Sequence, residues 1–488
     1  MAVNVYGWGK GVGSRRDVIR VDSAYVGWRP RAYALGSGIA VVSDALYPRR
    51  LHGLEIDHEI LQVAYGPSFV AVLTAGGDVY TRGVGEKGQL GHGKDKVELD
   101  EFERVDGLAG FYTNNPRVVV VKLAVGAAAV LALSAEGRLY SWGSGASAVL
   151  GHGNLRDVFL PKLVAKVDSV VFVDIWIGGK VAYARDKDGG IYAWGHGPRG
   201  LLGLASPRQQ REGEARVLAP EDQLSLTPLF VPVSLKHPFA TMDVGQDHAL
   251  GVSTQGELLV WGGNGCGQLG SGDTERAYVP TLVPFPPKKV RVTGSAAPPP
   301  VIHITPVGDG GGGESEGGED GEEGEEEGEE GENGEDDENT PIVVLDVAAG
   351  SGFSLVVGSN GVVYSVGLNT HGQLGCGEDF AVSHTLSPVD GVEGVIQVEA
   401  CGLYAAALTE SGEVYTWGYG GDGVLGTGLR ESAGLPQRVA ALAGKHVVHI
   451  DAYPSVLSVL VLDDEGDDSH SDREVVSSVV LCRTTVLQ

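Results

Sequence analysis

The sequence predicts an all-β fold assembled from seven copies of one unit. Two observations carry this. An aromatic–x–Trp–Gly motif, intact or degenerate, occurs seven times along the 488 residues. Between the copies lie short apolar or β-branched runs bounded by glycine turns, the pattern of strands rather than helices.

The copies are Tyr6-Gly7-Trp8-Gly9, Tyr80-Thr81-Arg82-Gly83, Tyr140-Ser141-Trp142-Gly143, Tyr192-Ala193-Trp194-Gly195, Leu259-Val260-Trp261-Gly262, Tyr364-Ser365-Val366-Gly367 and Tyr415-Thr416-Trp417-Gly418. Their last glycines are 74, 60, 52, 67, 105 and 51 residues apart. The two shortest intervals define the unit, and the longer ones read as that unit plus insertions. A unit of about 50 residues with about four strands has the size of one propeller blade. Residues two apart on a strand share a face, so Tyr415 and Trp417 point the same way, as do Tyr6 and Trp8, Tyr140 and Trp142, and Tyr192 and Trp194. With Trp261, these aromatics are expected to fill the gaps between neighbouring blades. The glycine after them is expected to supply a positive φ or a close backbone approach.

Each of the last six motifs has a glycine-turn companion shortly after it. Gly88-Gln89-Leu90-Gly91 and Gly267-Gln268-Leu269-Gly270 are two examples. Its leucine reads as a plug returned to the blade interface. One stretch, Gly418-Tyr419-Gly420-Gly421-Asp422-Gly423, also fits the glycine pattern of a dinucleotide-binding loop. That loop must open a helix. Here Gly426, Gly428, Gly434 and Pro436 follow, and these are poor helix interior residues. No cofactor site is expected, and the glycines are turn punctuation.

Units two to seven, roughly 60 to 442, resemble the repeat of the regulator of chromosome condensation family. "VEACGLYAAALTESGEVYTWG" is representative. The resemblance implies a seven-bladed β-propeller covering 1–488 as a single domain. The first motif has no strand pair before it, whereas 446–466, "HVVHIDAYPSVLSVLVLDDEG", has no motif after it. Residues 446–466 plus 1–14 are therefore expected to form a composite closing blade. The C-terminal strands would pair with the N-terminal one and remove an open sheet edge. Residues 473–488 read as one further strand of open placement.

Charge is unevenly spread. Of the net −28, a block of 17 Asp and Glu lies within 309–338, where there is no Lys or Arg, leaving −11 for the remainder. The Pro-rich and acidic stretch 285–340 is expected to be a disordered insertion between blades, suited to a basic protein and unsuited to direct nucleic-acid contact. Arg15, Arg16, Arg20, Arg29, Arg31, Arg49 and Arg50 make 15–50 basic, and Arg208, Arg211 and Arg216 do the same for 205–216. Cys266, Cys376, Cys401 and Cys482 form no C-x-x-C pair and read as free thiols. His92 and His152 read as turn residues, and no metal site is expected. No run is long and apolar enough for a membrane helix and no signal segment precedes Tyr6. A monomeric, soluble intracellular protein of cytoplasm or nucleus is the expectation.

No nucleophile–base spacing points to catalysis by this chain. The resemblance implies two other readings. One is a non-catalytic protein-interaction scaffold, presenting the loops at 15–50, 205–228 and 285–340. The other is a guanine-nucleotide exchange factor for a Ran-like small GTPase, an activity that the family places on acidic and histidine residues of a G-x-x-H turn. Only Gly245-Gln246-Asp247-His248 keeps that turn. Asp247 and His248 are thus the candidate GTPase-contacting residues, and the scaffold reading is the stronger one.

Overall fold

The computed structural model describes residues 3–9, 45–50, 60–108, 117–204, 224–231, 238–285, 342–377, 380–453 and 456–462. For 3–9, 45–50 and 460–462 it describes the backbone alone. The loop regions centred on 15–44, 205–223 and 286–341, and the expected strand at 473–488, lie outside the described residues.

Seven four-stranded antiparallel sheets account for the described strands. Six are meanders in chain order. The first has β3 (Ile60–Tyr65), β4 (Phe69–Thr74), β5 (Val79–Val84) and β6 (Glu98–Arg104). Next come β7 (Val120–Val125), β8 (Ala129–Ser134), β9 (Leu139–Gly143) and β10 (Val158–Leu163), then β11 (Phe172–Gly178), β12 (Val181–Asp186), β13 (Ile191–His196) and β14 (Leu224–Phe230). Then follow β15 (Phe239–Val244), β16 (His248–Ser253), β17 (Leu258–Gly262) and β18 (Ala277–Val283). The last two are β19 (Val344–Ala349), β20 (Phe353–Gly358), β21 (Val363–Leu368) and β22 (Val382–Pro388), and β23 (Val395–Cys401), β24 (Tyr404–Thr409), β25 (Val414–Gly418) and β26 (Ala433–Arg438). The seventh sheet joins the two ends of the chain in the order β2–β1–β28–β27. Here β1 is Val3–Gly9, β2 Ala45–Arg50, β27 His446–Tyr453 and β28 Val456–Leu462. β1 pairs with β28 from Val3 opposite Leu462 to Gly9 opposite Val456. Three short 3₁₀ turns, 165–167, 198–200 and 440–442, are the only helical elements among the described residues.

The leading strands touch in the order β3, β7, β11, β15, β19, β23, β27, and β27 also touches β3. At that last contact Tyr453 Oη donates to the Val63 carbonyl at 3.1 Å and the Tyr65 and Tyr453 rings are 5.0 Å apart. The core is a series of layers between sheets. Phe69, Leu73 and Leu90 meet Leu123 and Trp142 in one, and Tyr183, Leu201 and Leu202 meet Phe239 and Trp261 in another. A second strand is therefore covered on both faces. This is why β4, β8, β16, β20 and β24 are buried along their whole length and read as continuous apolar runs. The outer fourth strands are only partly buried, as in the acidic β6.

Tryptophan fastens one sheet to the previous one. Trp142 Nε1 donates to the Gln89 carbonyl (2.9 Å), Trp194 Nε1 to that of Val149 (2.6 Å) and Trp417 Nε1 to that of Gln373 (3.0 Å). Trp261 Nε1 donates to the Leu201 carbonyl (3.2 Å) and to Tyr183 Oη (3.0 Å). Every acceptor carbonyl belongs to the residue before the plug leucine of the preceding sheet. Those leucines, Leu90, Leu150, Leu202, Leu269, Leu374 and Leu425, are at most 2% exposed. The hydroxyl at the second position of the motif closes the same turn from within. Thr81, Ser141, Ser365 and Thr416 each donate to the following plug leucine's carbonyl at 2.7 Å. Tyr140, Tyr192 and Tyr415 are half-buried beside fully buried tryptophans. The side chains of Tyr6 and Trp8 lie outside the described residues. Gly418 has φ +94°, and a Cβ there would sit 2.5 Å from the Leu403 carbonyl oxygen.

Candidate binding site around Arg199, Asp247 and His248

In a meander, the turn between strands one and two lies at the same end as the connection between strands three and four. Successive turns of the first kind touch. Ser351 N–H donates to the Gly402 carbonyl, and a Cβ at Gly245 would lie 2.6 Å from the Gly350 carbonyl oxygen. All these turns therefore face one way. Asp247 and His248 belong to this face, together with the ends of the 10–44 connection (β1 to β2) and of the 205–223 connection (β13 to β14). The 286–341 connection joins β18 to β19, so it departs from the opposite end.

The two candidate residues have different surroundings. His248 is 0% exposed and Asp247 is partly exposed. Asp247 Oδ2 accepts from Arg199 Nη1 at 2.7 Å and Oδ1 accepts from Gln268 Nε2 at 3.2 Å. His248 Nδ1 lies 3.6 Å from Asp247 Oδ1, too long for a hydrogen bond. Burial by itself would raise the Asp247 pKa, but the adjacent His248 and the hydrogen bonds from Arg199 and Gln268 hold it down at about 2. The carboxylate is ionised and already engaged.

His248 serves the frame. Its Nε2 lies 2.9 Å from Ser354 Oγ, and Ser354 Oγ lies 2.7 Å from the Gln268 carbonyl, to which it donates. The serine proton is thereby committed, so Nε2–H is the donor to Ser354. The Gln268 carbonyl precedes plug Leu269, the place where other sheets receive a tryptophan. In the next sheet, β19–β22, the tryptophan position is Val366, which lies directly opposite Ser354. Ser354 makes the missing bond and His248 supports it. The repeat motif points to the vacancy at Val366, but only the strand pairing shows what fills it.

The position held by His248 lies opposite the last motif glycine, Gly262. Elsewhere this position holds Phe69, Ala129, Val181, Phe353 and Tyr404. A strict G-x-x-H count in the last repeat gives Ala405, but there the glycine stands one place later in a turn of the same length, with Cys401 in the place of Gly245, and Tyr404 takes the position. Tyr404 Oη donates to the carbonyls of Tyr453 (2.8 Å) and Val456 (2.7 Å), fastening the last meander to the sheet of the chain ends. His92 and His152 each meet a turn hydroxyl, Thr81 Oγ1 at 2.9 Å and Ser141 Oγ at 3.0 Å.

The model of the regulator of chromosome condensation (RCC1) repeat matches residues 136–184, 255–297 and 411–452, and a second model of that repeat matches 239–268 and 344–373. The chain belongs to the RCC1 repeat family. It is 30% identical over 396 residues to the E3 ubiquitin-protein ligase HERC2 of Homo sapiens, a match covering 79% of this chain and 6% of HERC2. The chain thus spans only a small part of that relative's length. It is 27% identical to the ultraviolet-B receptor UVR8 of Arabidopsis thaliana over 417 residues, 81% of this chain and 86% of UVR8. Among solved structures it resembles Prp20p of Saccharomyces cerevisiae, with TM-score 0.67 and 18% identity over 96% of this chain and 93% of Prp20p. Human WBSCR16 gives TM-score 0.65 and 20% identity over 94% and 99%. These structural likenesses show the RCC1 fold. No helix among the described residues is long and apolar enough to cross a membrane.

Proposed function

We propose that this RCC1-repeat protein is a non-catalytic protein-interaction platform, a single propeller whose seven sheets are blades and whose ring is completed by β1 lying between β2 and β28. The contact of β27 with β3 supports that closure. One observation carries the functional reading. At the only turn that keeps the Asp-His pair, His248 is fully buried and its Nε2 is engaged in supporting the Ser354–Gln268 bond. A rigid frame with variable connections at both ends is the form of a binding platform. The similar Prp20p binds Gsp1p and histones, which favours protein partners. The acidic 309–338 stretch suits a basic one. A monomer working in the cytoplasm or nucleus fits this reading.

Asp247 supports the exchange-factor alternative, because its carboxylate sits on the face where that activity would lie. The two readings separate on nucleotide. The full chain is used to capture partners with EDTA and again with Mg-GTP, and is added to a purified Ran-type GTPase loaded with fluorescent GDP. The platform reading expects the same partners in both captures and no faster GDP release. Accelerated release that Asp247→Ala abolishes would overturn it.

A further inference from the structure

Arg199 carries a backbone conformation that its neighbours in the repeat do not share. In three sheets the residue two before a glutamine donates its N–H to that side chain. Lys87 N–H meets Gln89 Oε1, Cys266 N–H meets Gln268 Oε1, and His371 N–H meets Gln373 Oε1, at 2.8–2.9 Å. In the sheet of β11–β14 the glutamine is replaced by Leu201, which is buried in the core and offers no acceptor. Arg199 lacks that bond and adopts φ 60°, ψ 21°. Among the described residues only Ala148 and Arg199 have a β-carbon and a positive φ.

The left-handed conformation costs such a residue stability. The bond it makes possible, Arg199 Nη1 to Asp247 Oδ2, joins a side chain 57% exposed to one 20% exposed. An exposed ion pair of this kind returns little. The pair is therefore poor as a fold device. What it achieves is a guanidinium held in place on the surface at a sheet boundary, with one nitrogen on Asp247 and no other described residue accepting from it. A planar guanidinium matches a carboxylate or a phosphoryl group with two parallel bonds. Lys180 is exposed in the adjoining turn, where a Cβ on its neighbour Gly179 would lie 2.8 Å from the Gln246 carbonyl oxygen.

We propose that Arg199, positioned by Asp247, is the anion-reading contact of this face and receives a carboxylate or phosphoryl group on an extended segment of a protein partner. Among the described residues of this boundary a guanidinium stands with one neighbouring lysine, a match for a single anion, whereas nucleic acid is tracked by a row of cations. The inference rests on the platform reading.

Glycine separates a frame role from a binding role, because Arg199→Gly relieves the backbone and removes the guanidinium. Labelled full-length protein is applied to a peptide array in which each sequence occurs with a glutamate, a phosphoserine and a glutamine at one position, beside duplex DNA. Wild type is expected to prefer the anionic members by roughly tenfold over the glutamine ones. Arg199→Gly should lose that preference with an unchanged or higher unfolding temperature, and Arg199→Lys should keep part of it. The glutamate and phosphoserine arms distinguish the two sources of the anion. An unchanged preference in Arg199→Gly, a lowered unfolding temperature, or guanidinium-dependent retention by DNA alone would overturn the proposal. The array contains no GTPase, so failure here is distinct from failure of the platform reading, which shows in the nucleotide dependence of capture.

Discussion

Replacing Trp417 by phenylalanine isolates the bond that fastens β25 to the preceding sheet. Trp417 is 0% exposed and its Nε1 donates to the Gln373 carbonyl at 3.0 Å. Gln373 is itself 0% exposed, so water does not replace the lost donor. A buried acceptor left without a partner costs about 1–3 kcal/mol. The smaller ring also leaves a void, worth about 1 kcal/mol more. The loss should total about 2–4 kcal/mol. In a body of this size each kcal/mol lowers the unfolding temperature by roughly 1–2 °C. Scanning calorimetry of Trp417→Phe should therefore show a fall of roughly 2–8 °C, and Trp417→Ala a larger one. Val366 provides the comparison, because its sheet obtains the equivalent bond from Ser354 and not from a tryptophan. Val366→Ala, which leaves that hydrogen bond intact, should cost only the methyl burial of a valine. If Trp417→Phe costs no more than Val366→Ala, the inter-sheet bond has no structural weight and the argument fails.

Two further outcomes follow from the same frame. Gly418→Ala forces a β-carbon into φ +94° and against the Leu403 carbonyl and Tyr404 Cα, at 2.5 and 2.9 Å, and should destabilise by at least about 2 kcal/mol in urea titration. The second outcome concerns pH. Glu399 lies at a junction of leading strands, where burial and then the charges of Asp451 and Asp243 raise its carboxyl well above the ordinary range. Such a group contributes stability that is complete below the unfolded carboxylate pKa and is lost as pH rises through the folded one. His449 acts in the same direction. Burial would lower its pKa, but the charge and hydrogen bond of Asp451, 3.1 Å away, raise it. Unfolding temperature should therefore fall as pH rises from weakly acid to alkaline, and Glu399→Gln should flatten that fall. A wild-type curve that climbs over this range would refute the assignment.

The frame was legible because its jobs repeat. A tryptophan, a glycine and a plug leucine at fixed offsets state the same packing problem again and again, and each copy confirms the others. β1 lying beside β28 followed from one unit lacking a strand pair and the chain end supplying one. β2 was not legible, because Ala45–Arg50 carries Pro48 and no alternation, and it follows a long basic connection. Single-copy devices were also hidden. Ser354 reads as an ordinary strand residue until Val366 is seen opposite it. Arg199 reads as a turn arginine until Leu201 is compared with the glutamines at 89, 268 and 373. His248 reads as a candidate contact from its turn, and the structure gives it a neighbour and a bond inside the frame. These features arise from substitutions that compensate one another across a sheet boundary, and a motif aligned along one chain does not display them.

The same compensation bears on how the surface is used. Six meanders of like design would present six similar turns to a partner. The sheets instead differ where they meet. The boundary between the β11–β14 and β15–β18 sheets has gained Arg199 on Asp247, and the next boundary has exchanged a tryptophan for Ser354 and His248. Both changes lie at one end of the strands, the end to which the arginine-bearing 10–44 and 205–223 connections are tied. The 17 carboxylates of 309–338 are tied to the other end. A six-residue strand rises about 20 Å, so these connections depart from strand ends about that far apart. The glycine-turned sheets thus set the strand end that carries Arg199 apart from the end at which the 286–341 connection departs.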